Sequence, residues 1–168
     1  MKKLFGGLAM AAGAVAVVCL VANGALAANP ERPYRGWSEE MVVGPCELGG
    51  VVGELLEGMG NATHAGRTAS LTCVIVTGGA FPVYTVAGRG VSTRANGDQS
   101  YYFLEGTVNV LEDPCVGEFT LNLVGGISRK GAPLNITGEI QGTQLRPWSA
   151  PGVCGPEGMS TLSGTITY

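Results

Sequence analysis

Charge is scarce in this chain: 14% of its 168 residues are charged and it holds one histidine, where about a quarter charged is usual. With ordinary apolar content, that scarcity excludes a disordered polar chain and a charge-laced coiled coil. One histidine, His64, and five cysteines without a C-x-x-C pair cannot supply the closely spaced ligands of a zinc site, so no metal is expected. A net charge of −3, with no basic cluster, argues against nucleic acid as a partner. The sequence has no G-x-S-x-G elbow and no phosphate-cradling loop, and it calls for no cofactor. What it has in excess is glycine, 28 residues, which is costly inside helices and points to strands and turns.

One long apolar run stands apart. Lys2 and Lys3 precede the stretch from Leu4 to Val21, and Ala25-Leu26-Ala27 is a small-x-small cleavage pattern, so residues 1–27 read as a removed signal peptide. Two rivals exist. The run approaches the length of a spanning helix, and Cys19 offers a thiol for lipid, although Val18 is not the small residue that lipoprotein processing wants. Cleavage takes two of the ten basic residues and none of the thirteen acidic ones, leaving a net charge of −5. It also takes Cys19, so that Cys46, Cys73, Cys115 and Cys154 remain, an even number suited to an oxidising compartment. A secreted or periplasmic location follows, with no membrane contact after signal removal.

Residues 28–45 carry Pro30, Pro33 and Pro45 around Trp37 and read as an extended N-terminal arm; residues 46–168 read as a single β domain. Runs rich in Val, Thr, Ile, Leu, Tyr and Phe occur at 48–58, 62–77, 83–94, 99–112, 116–124, 134–145 and 159–167, with a helical turn competing at 51–57. Period-two alternation puts Tyr102, Leu104, Val108 and Val110 on one face, as it does Phe119, Leu121 and Leu123, then Leu134, Ile136 and Ile140, then Leu162 and Ile166. Short connections, above all Ala95-Asn96-Gly97-Asp98, make each strand pair with the next. The fold class is therefore all-β, an antiparallel up-and-down meander closed as a small barrel, with a β-sandwich as the alternative.

Following the reversals from the 95–98 turn sends all four remaining cysteines to the opposite end of the meander. That convergence favours Cys46–Cys73 and Cys115–Cys154 over the other connectivities. The same topology gathers His64, Arg67, Arg94, Asp98, Arg129 and Lys130 at the turn end. A catalytic reading uses His64 as acid/base with Asp98 orienting it; the plainer one is a hydrogen-bonded brace between strand ends. Trp148, between Pro147 and the Cys154 loop, is a candidate for stacking on a ligand or for a lid over the barrel mouth. The pairs Glu39-Glu40 and Glu112-Asp113 point to opposite strand faces and read as solvated.

Thr63-His64-Ala65-Gly66-Arg67-Thr68, Ala95-Asn96-Gly97-Asp98 and Gly125-Gly126-Ile127-Ser128-Arg129 resemble a group of small secreted bacterial β-proteins. That group shows a T-H-L-G-R-[FT]-T strand, an A-N-G-D hairpin and a later G-G-T-G-R-F turn. Ala65, Ser128 and Lys130 depart from the pattern, and the four cysteines are no part of it. The resemblance implies a barrel similar to the lipocalin or allene-oxide-cyclase kind. It also marks Thr63, His64, Arg67, Asn96 and Asp98 as recurring polar positions. The functional expectation is an exported, disulfide-stabilised, non-catalytic binding or envelope-associated module, its partner a small apolar or amphipathic molecule or an envelope component. A lipocalin- or cyclase-like isomerase using the His64–Asp98 pair is the alternative.

Overall fold

The computed structural model describes residues 31–63, 66–128, 133–134 and 137–167. The strands are β1 (Arg32–Leu48), β2 (Val51–Ala62), β3 (Gly66–Ala80), β4 (Val83–Arg94), β5 (Gln99–Val110), β6 (Val116–Ser128), β7 (Pro133–Leu134), β8 (Thr137–Leu145), β9 (Trp148–Ala150), β10 (Val153–Cys154) and β11 (Glu157–Thr167). Eight long strands pair antiparallel in the cyclic order β1-β2-β3-β4-β5-β6-β8-β11, and β11 returns to β1. This is a closed up-and-down barrel, which leaves its staves no free edge. The short β7 adds to β6, and β9 and β10 form a separate two-stranded hairpin.

Arg32–Leu48 forms β1, the stave that closes the barrel, so the expected boundary at 46 between an extended arm and the β domain falls within a strand. Parity explains why it is needed. In a meander of seven strands the first and last run in the same direction and cannot pair antiparallel, whereas an eighth strand restores the alternation. Pro33 stands next to the first residue of β1, and Pro45 lies just past a bulge between Val42 and Gly44, both places where a strand tolerates proline. The first hairpin accordingly turns at Gly49 and Gly50, and 51–57 is strand, with no helical turn.

The expected inward residues of β5, β6, β8 and β11 that the structure describes fill the interior. Leu104, Val108, Phe119, Leu121, Leu123, Ile140, Leu162 and Ile166 join Tyr34, Leu56, Val74, Val86 and Tyr102 in one core. Glycines face bulky neighbours across the ladders: Gly90 lies opposite Tyr102, Gly106 opposite Leu121, and Gly142 opposite both Phe119 and Leu162. A Cβ at Gly90 would stand 2.6 Å from the Tyr102 hydroxyl oxygen and 2.8 Å from Thr72 Oγ1. A narrow barrel packs its large side chains by leaving such gaps beside them. The wall formed by β11, β1, β2 and β3 is different, because it turns Ser160, Ser38, Glu40, Thr68, Ser70 and Thr72 inward. Their neighbours there include Gly58 and Gly60.

Two disulfides join Cys46 to Cys73 and Cys115 to Cys154, the expected pairing; Cys115 and Cys154 lie at the end away from the 95–98 turn, whereas Cys73 sits midway along β3, short of the end where all four were expected. Beyond Glu54, β2 no longer pairs with β3, and the tip of the β1–β2 hairpin folds over the outside of that strand. Cys73 and Ile75 are buried there although alternation points them outward.

Candidate functional site

At the turn end, Thr63 and the Asn96–Asp98 pair make side-chain hydrogen bonds. Thr63 Oγ1 accepts a hydrogen bond from the Arg35 amide at 2.9 Å and donates to the Pro33 carbonyl at 3.3 Å, tying β1 to the end of β2. Asn96 donates to the Asp98 carboxylate at 2.8 Å and accepts from the Asp98 amide at 3.0 Å. Gly97 takes a φ of 83° between them, which closes the tight turn. The Arg67 carbonyl accepts from the Ala95 amide at 3.3 Å, and Arg94 lies opposite Thr68 in the β3–β4 ladder. His64, Arg129 and Lys130 lie outside the described residues, as do Asn135 and Ile136. Asn96 and Asp98 thus pair within one hairpin.

The opposite end is plugged from inside. Arg146 reaches from the end of β8 to the Glu54 carboxylate of β2, 3.1 Å away, in a pair that is largely buried. Burial raises the Glu54 carboxyl above its ordinary value, while the Arg146 charge and hydrogen bond pull the other way. Nearby, Gln144 donates to the buried Glu40 carboxylate at 2.9 Å. Trp148 is 46% exposed on β9 and reaches Asp113 through a long Nε1 contact of 3.4 Å.

A more site-like arrangement lies on the outer wall, across β2, β1 and β11. The ladder registers place Glu39 between Met59 and Met159, and in the next row Met41 between Glu57 and Glu157. Methionine and glutamate therefore alternate in both directions. The methionines are 45%, 63% and 59% exposed at 41, 59 and 159, too open to be core residues. With Pro147 as part of its rim, this face forms a groove of about 580 Å³. Among the described residues no ion pair engages Glu39, Glu57 or Glu157. The outward neighbours in the same rows are Ala69, Leu71 and Leu145, none of them basic.

These are all the methionines the chain has after Met1 and Met10, and they come from positions 18 and 100 residues apart. Sequence reasoning missed the site, since period-two alternation says that 39, 41, 57, 59, 157 and 159 point outward but not that three strands bring them into register. A second depression, about 490 Å³, lies over β6, β8 and β11 and is lined by Thr120, Gln141, Thr143, Thr161 and Ser163 without an exposed apolar floor. Among the described residues there is no cluster of His, Cys, Asp and Glu able to hold a metal, and no helix long and apolar enough to cross a membrane. No family model, curated protein or solved structure matches the chain. The class is defined by its own geometry, a disulfide-stapled eight-stranded up-and-down barrel.

Proposed function

We propose that this protein is an exported, non-catalytic binding module that meets an amphipathic ligand on the outer face of β2, β1 and β11. The observation that carries the reading is the convergence of Met41, Met59 and Met159 in one groove, interleaved with three carboxylates. Methionine is unbranched and polarisable, fills irregular contacts, and is over-used on adaptable binding surfaces. The interior offers less to a ligand, because its centre is taken by Tyr34, Tyr102, Leu56 and Ile140. Two disulfides and the charged, apolar-then-small leader support export into an oxidising compartment, as does the resemblance to small secreted β-proteins. The isomerase reading needs a His64–Asp98 contact, and His64 lies outside the described residues.

Peroxide footprinting tests this in the medium or envelope fraction of the native host. Binding is expected to protect Met41, Met59 and Met159 from sulfoxide formation relative to the purified protein. Unchanged oxidation of all three would place the contact elsewhere. Amino-terminal sequencing of the same material is expected to begin at Ala28; an intact leader contradicts cleavage there.

A further inference from the structure

Resting on that reading of the groove, we infer that its occupant is a cationic amphipathic helix of another protein. Three features lead there. The first is charge: Glu39, Glu57 and Glu157 surround and separate the methionines, and no ion pair engages them among the described residues. The surface left to a partner is acidic over an apolar floor, which complements lysine or arginine flanking leucine-like side chains. The second is the backbone. Around Glu39 to Met41 the central strand β1 is paired on both sides, with β2 and with β11. An extended peptide lying on this face finds no free strand edge to pair with and leaves its own amides and carbonyls unsatisfied. A helix satisfies its main chain internally and needs only side-chain contacts.

The third feature is spacing. Directly opposed positions on neighbouring strands are about 4.5–5.5 Å apart and diagonal ones about 7–8 Å, comparable with the 5–6 Å between residues three and four apart on a helix. One helical face carrying apolar residues at i, i+3/i+4 and i+7 with basic residues beside them matches the alternation of Met and Glu in both directions. Thioethers adapt to the shape of the apolar side chains, and the carboxylates set the sign of the partner. Met41, at the centre of its row, lies diagonally from both Met59 and Met159.

Methyl-labelled methionine NMR of the mature oxidised protein tests the inference with three probes. These are a helix-forming leucine/lysine peptide, its leucine/glutamate counterpart, and silver(I). The expected result is saturable shifts of the three groove methyls with the leucine/lysine peptide alone. Affinity should fall steeply between low and high salt and weaken by about tenfold or more in a Glu39→Gln/Glu57→Gln/Glu157→Gln variant. Glu105→Gln, on β5 at the far side of the barrel, is the control and should bind as the parent does. Equal binding of both peptides at these methyls overturns the cationic helix and leaves the groove as the contact site. Shifts with silver(I) but with neither peptide make the face a thioether site for a soft metal and overturn the helix. If no probe moves these methyls, or the peptide acts equally on the triple variant, the inference fails, and in the first case the proposed contact face fails with it.

Discussion

Removing the Cys46–Cys73 bridge by a Cys46→Ala/Cys73→Ala replacement perturbs the place where the closing stave is fastened to the body. The bridge closes a separation of 27 residues, for which chain entropy gives about 3.5 kcal/mol. At roughly 2–4 °C per kcal/mol for a chain of this size, the melting midpoint should drop by about 7–14 °C. The second bridge closes 39 residues and is worth about 3.9 kcal/mol on the same basis. The two loops do not overlap in sequence, so the losses should add to about 7 kcal/mol, a large share of the roughly 5–15 kcal/mol that holds a domain together. Urea unfolding of the parent, the two double variants and the quadruple variant measures each quantity. Loss of the first bridge should also free the β1–β2 tip from Cys73 and Ile75 and expose the Gly49-Gly50 turn to protease. A loss under about 1 kcal/mol, or a quadruple variant no weaker than either double, would refute the loop-closure reasoning.

Further outcomes follow from the interior. Gly90→Ala should cost about 1–3 kcal/mol, because its methyl meets the Tyr102 and Thr72 hydroxyls. Gly44→Ala, where nothing lies within 4 Å, should be nearly neutral; equal costs in denaturant melts would contradict the packing described. Burial raises the folded-state pKa of Glu54 above its unfolded value, so the folded chain holds the extra proton and its stability falls as pH rises through the folded value. The stability of the parent relative to Glu54→Gln should therefore decline from acid toward neutral pH, and a rising difference would show that the Arg146 interaction dominates.

Much of this fold is readable from the residues. β5, β6 and β11 keep an apolar alternation, at Tyr102-Leu104-Val108, Phe119-Leu121-Leu123 and Leu162-Ile166, and all of these are in the core. The sulfur pairing is equally legible, since strand reversals alone bring each cysteine near its partner. β1 hides itself. Its inward positions include Gly36, Ser38 and Glu40 beside Tyr34 and Val42, and a strand that turns serine and glutamate into a barrel gives no hydrophobic period. The outer groove is invisible for another reason. Its pattern exists only across three strands, fixed by the registers Glu39↔Met59 and Glu39↔Met159, and register is decided by the closure that β1 provides.

That closure can be measured without any ligand. Backbone NMR of the oxidised protein should show interstrand contacts joining residues 34–40 of β1 to residues 158–164 of β11, with the amides of Ser38 and Glu40 exchanging as slowly as those in the middle of β5. Amides of 32–42 that exchange as fast as the 95–98 turn, with no contact to β11, would mean that the ring is open. The methionine face would then not exist.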